Sequence, residues 1–274
     1  MGSTNNGLTL GIGGLGAIGL ALARAVDDGR IPGLQLVGAS VRDQAKAQRA
    51  IEAFRSPPRL VDFATLAQTA DVIVECLPSS QFIAIATPAI ARGRTFMPLS
   101  VGKLIDHMDL VERARETGAR IIVPTGALLG LDAVRATAEG NIASVKIITR
   151  KPPGGLAGAP LLVQRGLSVE GLTEPLLVFE GTARDAIAGF PANVNVAVAL
   201  SLAGIGPDRT RCEIWADPRV TRNTHTVVVT SDSSDLTMTI ENIPSEENPR
   251  TGKITALSAL AALRRLTAPL VVGT

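Results

Sequence analysis

The sequence predicts an α/β protein of two domains: a parallel sheet wrapped by helices, then an α+β domain whose sheet is mainly antiparallel. Two observations carry that expectation. Through the first half, short apolar runs alternate with stretches of helical spacing, the pattern of βαβ units. From about Ser144 the chain turns to Thr- and Val-rich segments separated by turn residues, the pattern of neighbouring antiparallel strands.

The apolar run Leu8 to Ile12 precedes a helical stretch, Ala17 to Val26, and Leu34 to Val41 gives the second strand. Asp71 to Leu77, Thr95 to Val101 and Arg120 to Val123 continue the sheet, with helices over Phe63 to Thr69, Gln81 to Ala91 and Ile105 to Thr117. In the second half the expected strands are Val145 to Thr149, Leu161 to Val163, Arg211 to Trp215, Thr224 to Thr230 and Leu236 to Ile240. Ala216-Asp217-Pro218 and Ser231 to Ser234 read as turns, and the Pro- and Gly-rich stretch Pro152 to Pro160 as a mobile loop. Thr251 to Leu266 reads as a closing helix. Ile254, Leu257, Leu260 and Leu263 recur at helical spacing, and Arg264-Arg265 sit at the end where cations suit the helix dipole. This helix is expected to return to the first domain, giving residues 1–126 with 251–274 as one domain and 127–250 as the other.

Composition narrows the function. Hydrophobic residues make up 46% and charged residues 19%, so a chain of 274 residues can bury a full core without disulfide or zinc staples. The net charge of +2 is spread over scattered cations such as Arg24, Arg42, Lys46 and Arg49. Aromatics are 3% with no Tyr, so a basic face with stacking rings for nucleic acid is not expected. Cys76 and Cys212 lie far apart, and neither sits in a C-x-x-C or His-rich setting; reduced, buried thiols are expected, and no metal site. Met1 to Gly7 lacks the layout of a signal peptide, and no apolar run reaches the roughly 18 residues of a membrane span. No membrane partner is therefore expected, and the location is expected to be cytoplasmic.

Gly14-Leu15-Gly16-Ala17-Ile18-Gly19 matches G-x-G-x-x-G, placed after the first strand and opening the first helix. The first glycine suits a tight turn, the second a close approach of backbone to a pyrophosphate, and the third close helix–strand packing. The free N–H groups at the helix start then face the phosphates, which makes Gly14, Gly16, Ala17 and Ile18 cofactor-binding candidates in a Rossmann-type domain. The second strand ends near Ser40, about 21 residues after Gly19, where a site for NAD often carries an acidic residue. Here the tip reads Ala39-Ser40-Val41-Arg42-Asp43. Ser40 and Arg42 suit the 2′-phosphate of NADP, a solvated loop arginine is the alternative, and Asp43 keeps NAD open.

His107 and His225 are the two histidines, so the candidates for a histidine acid or base are few. His107 falls at the start of an expected surface helix. His225 stands where a turn enters an apolar strand. Asn193 and Asn195 head an apolar helix, as caps or as amides that orient a ligand. Lys103, Arg150 and Lys151 follow strand ends and can meet an acidic substrate or serve as surface charges.

In their shared order, several further segments resemble the L-aspartate dehydrogenases. They are Val74-Glu75-Cys76, Ser100-Val101-Gly102, Pro124-Thr125-Gly126-Ala127, Thr149-Arg150-Lys151-Pro152, Asn193 to Val196, Leu200 to Gly204, Asp217-Pro218, Asn223-Thr224-His225 and Asn248-Pro249-Arg250-Thr251. The resemblance implies oxidation of L-aspartate to iminoaspartate, which yields oxaloacetate and ammonia or feeds NAD biosynthesis, with NAD or NADP as cofactor. It also implies that His225 is catalytic and that Ala127 and Asn195 contact the cofactor. Leu77-Pro78-Ser79-Ser80-Gln81 departs from the small residues of the family, which bears on the substrate. A related dehydrogenase or imine reductase on another small dicarboxylate, and a non-catalytic dinucleotide sensor, remain alternatives. An antiparallel sheet with one uncovered face can also support a homodimer.

Overall fold

The glycine-rich segment lies between the first strand and the first helix of a parallel sheet, where the alternation of the first half puts it. The computed structural model describes residues 7–191, 194–246 and 252–273. The chain divides into two units, Met1–Pro124 with Ala256–Val271 and Thr125–Thr255 with Val272–Thr274.

In the first unit β1 (Leu8–Gly13), α1 (Ala17–Asp27), β2 (Leu34–Ser40), α2 (Gln44–Ile51), β3 (Arg59–Leu60), α3 (Phe63–Thr69) and β4 (Val72–Glu75) follow in order. Then come α4 (Phe82–Ala91), β5 (Thr95–Pro98), α5 (Gly102–Ile105), α6 (Asp109–Thr117) and β6 (Arg120–Ile121). The strands pair in parallel in the order β3-β2-β1-β4-β5-β6, so the chain reverses its direction of winding between β1 and β4. In open α/β sheets such a switch point, at the carboxyl ends of the strands, is where ligands bind. The central strands read as unbroken apolar runs because both faces are covered: all four residues of β4 are buried, as are Leu10 and Ile12 of β1. Leu22, Ala23 and Val26 of α1 pack on them. The helix expected over Ile105 to Thr117 is two helices, α5 and α6, and His107 lies in the turn between them.

The second unit contains α7 (Leu131–Ala138), β7 (Ile142–Lys151), α8 (Pro160–Arg165), β8 (Leu176–Thr182), α9 (Ala183–Gly189), α10 (Asn195–Ala203), β9 (Thr210–Ala216), β10 (Asn223–Ser231) and β11 (Asp235–Asn242). Its sheet runs β11-β10-β7-β9-β8. Three pairings are antiparallel and one, β7 with β9, is parallel, so the sheet is mixed rather than purely antiparallel. The parallel pair follows from the long connection through α8, β8, α9 and α10, since parallel neighbours need a crossover and cannot share a tight hairpin. Leu161 to Val163, expected as a strand, lies in α8; three apolar residues carry no period, and the flanking Pro160 and Gly166 bound a short helix instead. The expected turn at Ser231 to Ser234 joins β10 to β11, with the Ser231 hydroxyl accepting the N–H groups of Ser233 and Ser234.

The closing helix α11 (Lys253–Thr267) enters the first unit at Ala256, where Ala259 and Leu263 are fully buried in the same cluster as Leu10, Ile12 and Leu22. Thr251 lies outside the described residues.

Candidate active site

The glycine turn of the first unit is held from both sides. Gly14 donates its N–H to the Ser40 carbonyl at the end of β2, and Cys76, just past β4, donates to the Gly13 carbonyl, both at 2.8 Å. Gly14 has φ +90°, and a Cβ there would lie 2.6 Å from the Cys76 carbonyl oxygen. A Cβ on Gly19 would lie 1.9 Å from the Gly14 carbonyl oxygen. Both glycines are therefore demanded by backbone contact. Gly16 is different: its φ is −74° and a Cβ would meet nothing within 4 Å. The space above Gly16 is open, Gly16 and Ala17 are exposed, and the first turn of α1 carries no acidic residue. That set of free N–H groups and clear space fits a dinucleotide diphosphate.

Ser40 is buried beside the turn, in register with Gly13, while Arg42 is exposed two residues beyond the strand. Asp43 caps α2, accepting the Lys46 N–H at 2.9 Å.

The loops after β4 and β5 are joined by Glu75, which has no exposed surface. Its carboxylate accepts N–H groups from Leu77 at 2.8 Å, Leu99 at 3.2 Å and Ser100 at 2.9 Å, and the Ser100 hydroxyl at 3.1 Å. Burial raises this carboxyl above the usual carboxylate range, while the four donors pull in the opposite direction. Because all four partners donate, the anion is the form that satisfies them.

In the second unit, the covered face of the sheet carries Val145, Ile147, Thr149 and Lys151 from β7 and His225, Val227 and Val229 from β10. The strand register sets His225 opposite Thr149, and the Thr149 hydroxyl lies 3.0 Å from His225 Nδ1. His225 is 3% exposed and Lys151 5%. Burial, with the Lys151 charge adding to it, lowers the imidazole to about 3, and burial lowers the Lys151 ammonium to about 8. The opposite face holds Arg150, which bonds to Asp217 at 2.9 Å and lies 4.8 Å from the Trp215 ring centroid.

The structure thus gathers Gly14, Gly16, Ala17, Ile18 and Ser40 around one turn, and His225 with Lys151 on one sheet face. Ala127 and Asn195 belong to the second unit. The Ala127 carbonyl accepts from Asn242 Nδ2 at 3.0 Å. Asn195 is the first residue of α10; Val194 holds the cap position without a side-chain bond, so the capping role considered for Asn195 is not its own. Asn193 and Asn248 to Thr251 lie outside the described residues. Lys103 pairs with Asp106 at 3.3 Å near the surface, and His107 stacks on Phe82 at 6.2 Å, so neither joins these groups. The sequence alone assigns no role to Glu75 or Thr149. A lone acid ending an apolar strand is the available signal for Glu75; Thr149 is ordinary for a strand.

A parallel sheet of this order, with a bare helix start and a glycine turn at its switch point, defines a Rossmann-type dinucleotide-binding domain, the class of domain that NAD(P)-dependent oxidoreductases use. Residues 14–124 match the family model described as homoserine dehydrogenase, NAD binding domain, and residues 132–266 match that of aspartate dehydrogenase, C-terminal. An L-aspartate dehydrogenase of Bradyrhizobium diazoefficiens is 56% identical over 97% of this chain and 94% of its own. One from Bordetella bronchiseptica is 51% identical over 99% and 100%. The crystal structure of aspartate dehydrogenase from Thermotoga maritima has the same fold, with a TM-score of 0.72 at 23% identity, covering 97% of this chain and 99% of that one. The chain belongs to the L-aspartate dehydrogenase family. Among the described residues no helix is long and apolar enough to cross a membrane.

The glycine contacts set different costs for two substitutions. Gly19→Ala should cost about 2 kcal/mol or more in a denaturant titration, because rigid backbone meets the new methyl, whereas Gly16→Ala should stay within about 0.5 kcal/mol of the wild type. The buried imidazole sets a dependence on pH. His225 binds a proton at the ordinary 6.5 when unfolded but only near 3 when folded, so its contribution is complete above pH 6.5 and is lost as pH falls towards 3. Between about pH 7.5 and about pH 4.5 the wild type should lose about 3 kcal/mol more than His225→Gln. Equal losses would remove His225 as the cause.

Proposed function

We propose that this chain interconverts L-aspartate and iminoaspartate with NAD or NADP, the imine giving oxaloacetate and ammonia on hydrolysis. The observation that carries this reading is the buried His225, held by Thr149 beside Lys151, in a member of the L-aspartate dehydrogenase family.

The first unit holds the dinucleotide. Gly14, Gly16, Ala17 and Ile18 receive the diphosphate, and Ser40 and Arg42 meet the adenosine ribose or its 2′-phosphate. Ala127 and Asn195 are further cofactor contacts, as the family resemblance implies. When bound, the cofactor supplies a two-electron hydride acceptor or donor.

The second unit handles the dicarboxylate amino acid. In the tautomer with its proton on Nδ1, His225 donates to the Thr149 hydroxyl 3.0 Å away, which leaves the Nε2 lone pair as the acid–base atom. In the oxidative direction Nε2 takes a proton from the substrate amine, or from the water that attacks the imine carbon, and it returns a proton in the reverse direction.

We propose in addition that two copies associate through the second sheet's other face. Ile148, Val228 and Trp215 are half-buried there, beside Leu177 at 37% exposure. Lys146, Glu213, Arg150 and Thr226 share this face, so the twofold contact would join apolar and polar groups of identical chains. Light scattering should give a mass twice 28.4 kDa, and Ile148→Glu should halve it; a monomeric wild type would end this proposal.

The chemistry is tested with oxaloacetate, ammonia and NADH or NADPH, run beside other keto acids. His225→Ala should lower kcat by about a thousandfold with dinucleotide affinity unchanged. Gly16→Ala should weaken dinucleotide binding while the fold holds, and Arg42→Ala should lower the ratio of NADPH to NADH efficiency. Full activity in His225→Ala would remove it as the acid–base group. No turnover of any keto acid by the wild type would favour a dinucleotide sensor.

A further inference from the structure

We infer that Asn242 is a positioning residue for the cofactor: its amide holds the turn that carries Ala127 against the end of the sheet face that carries His225. The inference rests on the reading of Ala127 as a cofactor contact and adds the group that keeps it in place.

Asn242 is the last residue of β11 and lies opposite Asn223 at the start of β10, while Ile240, two positions earlier, lies opposite His225. Exposed residues alternate along β11 with a covered set, Leu236, Met238, Ile240 and Asn242. Asn242 is thus on the same face as His225 and diagonal to it across the ladder. It is 3% exposed, and its Nδ2 donates to the Ala127 carbonyl at 3.0 Å across 115 positions of sequence. The same strand face meets the same loop a second time, where Gly130 lies against Met238 Sδ. Ala127 sits in a turn closed by the Leu128 N–H on the Thr125 carbonyl at 3.2 Å, with Gly126 at φ +64°. A Cβ on Gly126 would meet nothing within 4 Å, so that side of the turn is open. Among the described residues, the Asn242 bond is the hydrogen bond that reaches residues 125–128 from elsewhere in the chain.

The partner sets the orientation of the amide. A carbonyl only accepts, so the NH2 end must face Ala127 and Oδ1 must point away from it. Among the described residues, Oδ1 is the buried side-chain polar atom with no hydrogen-bond partner. On that side the amide packs on Gly252, where a Cβ would stand 3.1 Å from Oδ1. A leucine of nearly the same shape would bury there without an unmet acceptor, so a covered sheet end alone does not call for an amide. What the amide adds is the bond to Ala127, and that bond acts on the turn. Holding the turn at the end of the His225 face fixes the dinucleotide contact relative to the acid–base group within one unit.

The test uses the full chain with oxaloacetate, ammonia and NADH or NADPH, whichever binds the wild type more tightly, in Asn242→Leu and Asn242→Ala. Leucine keeps the volume and alanine avoids any new crowding; circular dichroism melting checks that each folds. Titration of the dinucleotide fluorescence should give a Kd raised about tenfold in both, the loss of one buried hydrogen bond. At saturating dinucleotide kcat should fall about tenfold with the KM for oxaloacetate within about twofold, because the hydride donor and not the keto acid is displaced. An amide with a purely structural role would move the melting temperature and leave Kd and kcat as they are in the wild type. Ala127→Phe, which crowds the turn itself, tests the contact and should weaken dinucleotide binding at least as much. If it does so while the folded Asn242 variants keep Kd and kcat within about twofold of the wild type, the inference falls and the contact reading stands. If Ala127→Phe binds the dinucleotide as tightly as the wild type, the contact reading falls and takes the inference with it.

Discussion

The first unit depends on the absence of two β-carbons. At Gly19 the helix approaches the Gly14 carbonyl so closely that a methyl would sit 1.9 Å from the oxygen, and at Gly14 the loop after β4 does the same from the other side. Those contacts let β1 end, α1 begin and β4 close within one small region at the switch point. Gly16 has no such neighbour, so the same motif leaves an opening above the helix start. Packing thus fixes the outer glycines, while the middle one leaves room for a ligand.

Glu75 extends this arrangement sideways. A buried carboxylate is costly alone, but four donors from residues 77, 99 and 100 convert it into a clamp between two loops at the carboxyl edge of the sheet. The loop it holds begins with Cys76 and Leu77, the segment that touches the glycine turn. The turn and the β5 loop therefore share one polar tie.

The legibility of the sequence follows the range of each interaction. The glycine motif and the strands beside it are local, and they stand out through chemistry that few residues satisfy. Leu161 to Val163 misleads because a three-residue apolar run has no period, and the helix there is settled by its flanks. His225 is a candidate by scarcity, but its bond to Thr149 spans 76 positions and depends on strand register. The split of Ile105 to Thr117 around His107 and the parallel pairing of β7 with β9 likewise depend on tertiary packing. Glu75 shows the converse: an acid in an apolar strand is visible in sequence, yet its meaning needs the partners.

In the second unit, strand alternation separates two adjacent cations. Arg150 and Lys151 are neighbours in sequence, so a strand must send them to opposite faces. Arg150 reaches the half-buried side, where Asp217 and Trp215 satisfy it, and it ties β7 to the turn after β9. Lys151 goes to the covered side, where desolvation opposes its charge by about 3 kcal/mol at neutral pH. His225 adds no comparable cost there, because it is neutral near pH 7 whether folded or not, and its penalty grows only as the solution turns acid. The same covered face therefore holds a cation that burial opposes and an imidazole that burial keeps neutral.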